Sequence, residues 1–213
     1  MITCMSDIVC VTNRALCRED FLLRMEKVAA AKPAGIILRE KDLPEMQYRM
    51  LAERVLQICK AQEVPCVLHS FVNTAMELGA DAIHLPLHCL REMTGEQRWQ
   101  FKTIGASCHS AADAREAQAL GCTYITAGHV FATDCKKGLP GRGLDFLREV
   151  CACVSIPVYA IGGIADRNIA LVRGTGVKGA CVMSGLMQCG DPAAYLKTFE
   201  ASDEIREMTC VER

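Results

Sequence analysis

Short runs of β-branched and apolar residues recur along the chain, and each is followed by a longer stretch in which apolar positions return every three or four residues. The first pattern is that of a buried strand, the second that of a helix with one face against a core. Strands are predicted over Ile8–Thr12, Gly35–Arg39, Pro65–His69, Ala82–Leu85, Thr103–Ser107, Thr123–Ala127, Pro157–Ile161 and Gly179–Met183. Between them lie helical segments such as Pro44–Ala61, where Tyr48, Ala52, Val55 and Cys59 fall on one face. Ser110 and Asp113 have the spacing of a helix cap, Asp166 opens another helix, and Asp191-Pro192 sets a capping acid before a proline at the first helical position.

Strict alternation of strand and helix implies a parallel sheet, because parallel neighbours need a crossover connection and a helix is the usual one. Eight such units predict an α/β fold of the compact, single (β/α)8 type, the TIM barrel, over residues 1–201, followed by a polar tail over 202–213. At about 27 residues per unit, against roughly 250 residues for the typical barrel, there is little room for an inserted domain. A doubly wound open sheet is the alternative architecture, but no G-x-G-x-x-G follows the first strand.

With 51% hydrophobic and 23% charged residues in 213, the composition is that of one globular domain with a large core. A net charge of −1 provides no whole-molecule field for nucleic acid or an anionic membrane, so any positive charge that matters must be local. The first residues lack the basic-then-apolar pattern of a leader, and no window approaches the roughly 18 apolar residues of a membrane span. A cytoplasmic protein without nucleic-acid or membrane partners is expected, and a homo-oligomer is compatible with the sequence. Fourteen cysteines stand out, yet there is no Cys-x-x-Cys pair, and residues such as Cys10, Cys66 and Cys181 sit inside apolar runs. They read as small buried hydrophobes in a reducing compartment rather than as a zinc or disulfide framework. Cys135 differs in having Lys136 and Lys137 beside it, which favour a thiolate.

In a barrel of this kind chemistry gathers at the C-terminal ends of the strands. There the sequence places Arg39-Glu40-Lys41-Asp42, His69-Ser70, Ser107-Cys108-His109, Gly128-His129 leading to Thr133 and Lys136-Lys137, then Gly162-Gly163 and Ser184-Gly185. Two glycine-bearing turns, after the seventh and eighth strands, lead towards helix N-termini and offer backbone N–H groups to a phosphate. Each feature also has a plain structural reading: a glycine pair serves a tight turn, and strand-end charges form solvated pairs. His84 lies within a strand and reads as a packed, hydrogen-bonded residue, while His88 and His109 read as exposed loop residues. His129 follows Gly128 at the mouth, where an imidazole with a pKa near ~6.5 can both take and give a proton.

These motifs together resemble the thiamin-phosphate synthase superfamily from Val11 to about Pro192. The resemblance rests on Leu38-Arg-Glu-Lys-Asp42, Gly79-Ala-Asp-Ala-Ile-His-Leu85, Gly105-Ala-Ser-Cys-His109, Gly128-His-Val-Phe131 with Thr133 and Lys136-Lys137, Ala160-Ile-Gly-Gly-Ile164 and Val182-Met-Ser-Gly185. It implies the same barrel. In the synthase branch an aspartate after strand three and another after strand four hold the Mg²⁺ that carries a substrate pyrophosphate. Ser70 and Cys89 stand at those two places here, and a hydroxyl and a thiol suit a hard cation poorly.

The other branch, the thiazole tautomerases, is more similar along Gly128-His-Val-Phe-Ala-Thr-Asp-Cys-Lys-Lys-Gly138 and Gly141-Arg-Gly143. Synthases usually carry Gly-Pro where this chain has Gly128-His129. The tautomerase resemblance implies an isomerase that aromatises a carboxythiazole phosphate tautomer, with His129 as acid–base residue and with no metal or cofactor. It further implies phosphate contacts from Gly162, Gly163, Met183 and Ser184, and ring or carboxylate contacts from Arg39, Lys41, Ser107, Thr133 and Lys136. A synthase with an altered metal site and a non-catalytic protein that binds a phosphorylated ligand are the competing expectations.

Overall fold

A computed structural model of the chain describes residues 7–133 and 138–200. Eight strands, β1 (Ile8–Val11), β2 (Gly35–Leu38), β3 (Cys66–His69), β4 (Ala82–Pro86), β5 (Thr103–Cys108), β6 (Tyr124–Gly128), β7 (Val158–Ile161) and β8 (Gly179–Val182), form a closed parallel barrel in sequence order. Closure is made by β1 on β8, with Ile8 opposite Ala180 and Cys10 opposite Val182. Every predicted strand is present, and its ends differ from expectation by a residue at most. The predicted tail, Cys135 and Lys136 lie outside the described residues.

The helices are α1 (Phe21–Ala30), α2 (Glu45–Ala61), α3 (Val72–Glu77), α4 (Leu87–Glu92), α5 (Gly95–Trp99), α6 (Ala111–Ala119), α7 (Gly143–Cys153), α8 (Asp166–Arg173) and α9 (Ser184–Gln188), with a last helical stretch over 192–200. The capping residues act as their spacing suggests. Ser110 Oγ accepts from the Asp113 N–H at 3.0 Å, and Asp191 Oδ1 accepts from the N–H groups of Ala193 and Ala194. No described helix is long and apolar enough to cross a membrane.

Strand residues alternate between two cores. Outward side chains such as Ile36, Leu38, Leu68, Ile83 and Ile125 pack under the helices, and inward ones form a smaller cluster of Val11, Ile37, Val67 and Cys181 with Met183 and Tyr159 against it. The helix α2 buries the stripe read from its sequence, Tyr48, Ala52, Val55 and Cys59. Its Tyr48 hydroxyl donates to Leu38 O at 2.9 Å and accepts from the His69 N–H at 2.8 Å. That hydroxyl ties the ends of β2 and β3 together where the mouth begins. The described cysteines are all free, and burial pushes the thiols of Cys108, Cys122 and Cys181 up to about 12, as inert core residues require.

Candidate active site at the barrel mouth

The β1–β2 register brings a buried carboxylate into the mouth. Glu40 is 2% exposed, and its oxygens accept from Thr12 Oγ1 at 2.6 Å and from the Arg14 N–H at 3.0 and 3.1 Å. Arg14 also reaches Glu40 with its guanidinium at 3.2 Å and grips Asp42 through two short contacts. Thr12 Oγ1 in turn accepts from the Arg39 N–H at 2.9 Å. The turn carrying Arg39 and Lys41 is therefore fixed by its own acidic residues, which the sequence shows only as part of a charge run.

On β3 and β4 sit two buried histidines, His69 and His84, with ring centroids 5.7 Å apart. Burial pulls the His69 pKa down to about 2, with His84, Lys41 and Arg39 adding to the effect, and burial pulls His84 down to about 3 with Lys41 and Arg39 adding to it. Both imidazoles are neutral, and the charges of Arg39 and Lys41 are felt there. His84 is hydrogen-bonded as its strand position suggested, through Nδ1 to Tyr124 Oη and through Nε2 to Ser107 Oγ, both at 2.9 Å. His88 and His109 are exposed, although His88 lies on α4 and His109 Nδ1 bonds Gly128 O at 2.8 Å.

The neutral pair has a consequence for stability. The folded pKa values lie below the ordinary histidine value, so the unfolded chain binds more protons in mild acid. The stability that the pair contributes is complete above about pH 6.5 and falls as pH drops below it, by up to about 1.4 kcal/mol per pH unit for each histidine. Denaturant titrations between pH 7 and 5 should show this slope, reduced by about half its histidine share in His69→Gln.

Between the β2 turn and the ends of β3 and β4 opens a cavity of about 230 Å³, lined by Lys41, His69, Ser70, Phe71, His88 and Cys89 among others. This is where the synthase resemblance places Mg²⁺. Ser70 Oγ lies 2.6 Å from His69 Nδ1, burial raises the Cys89 thiol above its ordinary value, and Glu40 is already engaged by Thr12 and Arg14. Among the described residues no group of three His, Cys, Asp or Glu side chains suits a metal ion. The donor set does not fit Mg²⁺.

At the opposite side of the mouth β6 runs on into His129. Val130 N donates to Ile161 O at 2.9 Å and Phe131 N to Gly162 O at 3.0 Å, so the loop continues β6 alongside β7, and the Gly128–His129 peptide is cis. Gly162 and Gly163 have φ of 102° and 67°, the left-handed region that favours glycine. A Cβ on Gly162 would lie 2.4 Å from His129 Cβ, and one on Gly163 would lie 2.6 Å from Ala132 O. The two glycines thus let the β7 turn pack against the His129 loop, and Gly163→Val would displace that loop rather than remove only a ligand contact. In the closed order β6 lies across from β2, which sets His129 and Arg39 on opposite walls.

Of the residues singled out in the sequence, Arg39, Lys41 and Ser107 gather round the neutral histidines, while Gly162, Gly163, Met183 and Ser184 occupy the neighbouring ends of β7 and β8. Thr133 is half-buried beyond the His129 loop. Sequence reasoning passed over Glu40, Thr12 and Tyr124. A polar residue at a strand end, opposite another one strand away, is the signal that would have found the first two.

A closed parallel barrel with its polar residues collected at the C-terminal mouth defines a (β/α)8-barrel enzyme. Residues 8–186 match the family model described as thiamine monophosphate synthase, and the chain belongs to that family. Among similar proteins are a thiamine-phosphate synthase of Desulfitobacterium hafniense, 34% identical over 88% of this chain and 92% of the relative, and thiamine-phosphate synthase 2 of Streptococcus pneumoniae, 32% identical over 85% and 87%. A solved thiamine phosphate pyrophosphorylase from Pyrococcus furiosus superposes with a TM-score of 0.78 at 26% identity, over 92% of this chain and 95% of that one.

Proposed function

We propose that this enzyme acts on a phosphorylated thiazole in thiamin biosynthesis and that its reaction is a metal-independent tautomerisation. His129 takes the proton from the ring carbon that bears the carboxylate and returns a proton to the exocyclic alkylidene carbon, leaving the aromatic carboxythiazole phosphate. Backbone groups of Gly162, Gly163 and Met183 with the Ser184 hydroxyl hold the phosphate. Arg39, Lys41, Ser107, Thr133 and Lys136 hold the ring and its carboxylate. The observation that carries this reading is a histidine at the end of β6 whose Cα and Cβ pack on Gly162 of the glycine turn proposed for the phosphate.

The names of the relatives favour the other reading, synthesis of thiamin phosphate, and family membership alone points there. Against it stand Ser70 and Cys89 in place of the metal-binding carboxylates. The two readings separate in a coupling assay with a pyrimidine pyrophosphate, a thiazole phosphate and Mg²⁺. The expected result is no thiamin phosphate from the wild type; Mg²⁺-dependent product at a substantial rate would establish the synthase instead. The Ser70→Asp, Cys89→Asp double variant tests whether metal binding returns, and Ser70, at φ 70°, sits in a conformation that aspartate tolerates.

A further inference from the structure

Inside the barrel a line of neutral groups runs from Tyr124 through His84 to Ser107 and Thr126. Tyr124 Oη is 2.9 Å from His84 Nδ1; His84 Nε2 is 2.9 Å from Ser107 Oγ and 3.4 Å from Thr126 Oγ1. Gly105 makes room for it, since a Cβ there would lie 2.2 Å from the Tyr124 ring. Tyr124 meets Tyr159 edge-on at 5.8 Å on its other side.

A neutral imidazole has one N–H and one lone pair, so it can donate at one end of this line only. If Nδ1 carried the proton, the Tyr124 O–H would have no acceptor among the described residues, and burial holds that phenol well above its usual range. A buried donor left without an acceptor loses its hydration with nothing in return, which disfavours this tautomer. If the proton is on Nε2, the Tyr124 O–H donates to Nδ1 and the Nε2–H donates to Ser107 Oγ, with Thr126 Oγ1 a more distant second acceptor, so the buried phenol keeps its acceptor. The Ser107 hydrogen then has no acceptor among the described residues, and Ser107 lies one residue before the end of β5, at the mouth.

We infer that Tyr124 and His84 form a positioning relay that fixes His84 as the Nε2–H tautomer and turns the Ser107 hydroxyl into a donor aimed at an anionic oxygen of the bound ligand. In this arrangement Ser107 selects an acceptor, such as a carboxylate, over a donor at that point of the site. The direction of the relay stands on the hydrogen bonds alone, whereas identifying the acceptor with the thiazole carboxylate rests on the proposed function.

Two measurements separate those parts. Imidazole ¹⁵N NMR of the wild-type protein, with His84 assigned by His84→Gln, should report a protonated Nε2 and a bare Nδ1 for this residue; a protonated Nδ1 overturns the relay whatever the enzyme acts on. Binding of carboxythiazole phosphate is then compared with that of the same thiazole phosphate lacking the carboxylate. Tyr124→Phe, which keeps the ring, and Ser107→Ala should each weaken the first ligand by about 3–10-fold and leave the second unchanged. Equal loss for both ligands, or loss for neither, contradicts the donor role. A correct tautomer with neither ligand bound by wild type sinks the proposed function and, with it, the assignment of the acceptor as the thiazole carboxylate.

Discussion

Replacing His129 by asparagine should leave a folded barrel that binds its phosphorylated ligand and turns it over about 10²–10⁴ times more slowly, the contribution of a positioned acid–base group. The loop around His129 is held through its backbone, by Val130 N on Ile161 O, Arg142 N on His129 O and Gly143 N on Val130 O. Among the described residues the imidazole itself makes one long hydrogen-bond contact, Nε2 to Leu139 O at 3.4 Å. Removing it therefore sacrifices little structure. His84→Asn is the contrasting variant, because it breaks the bonds to Tyr124 and Ser107 and should lower thermal stability together with activity. Steady-state kinetics and thermal melts of the two variants, side by side, check the difference: a kinetic loss at constant melting temperature for His129, and both losses for His84.

The second large effect is expected at Glu40, which holds the turn that carries Arg39 and Lys41. Glu40→Ala leaves the buried Thr12 hydroxyl and the Arg14 N–H without the acceptor they share and should cost about 2–4 kcal/mol of stability. It also frees the turn that presents Arg39 and Lys41, so anionic ligands should bind more weakly. Asp42→Ala is the control. Asp42 is exposed, and its pair with Arg14 is screened by solvent and should contribute far less. Denaturant unfolding of both variants tests the distinction, and equal, small losses would mean that the buried network does not hold the turn.

Much of this molecule was legible before its structure. The strands announce themselves because a barrel strand is buried on both faces, so Ile8–Val11 or Gly35–Leu38 appears as an unbroken apolar run. The face of α2 was legible for the complementary reason, since only one side of it meets the sheet. The roles of Glu40 and His84 were harder to read, because their partners come from register. Thr12 and Arg14 are 28 and 26 residues from Glu40, and Ser107 and Tyr124 are 23 and 40 residues from His84. Nothing local in the chain pairs them. Gly162 and Gly163 were read as ligand turns, and the structure adds a packing duty against His129 and Ala132 that composition cannot express. The superfamily was recognisable from ordered motifs. The choice between its branches turns on a few residues, Ser70, Cys89 and His129, and those relatives carry the synthase name.

The most direct test of the central claim is to mix the wild-type protein, in the presence of a chelator, with the dihydrothiazole phosphate carboxylate tautomer and to follow formation of the aromatic thiazole. The account predicts aromatisation well above the spontaneous rate, unchanged by the chelator and abolished to near background in His129→Asn. No acceleration by the folded wild-type protein, or the same acceleration from folded His129→Asn, would contradict it.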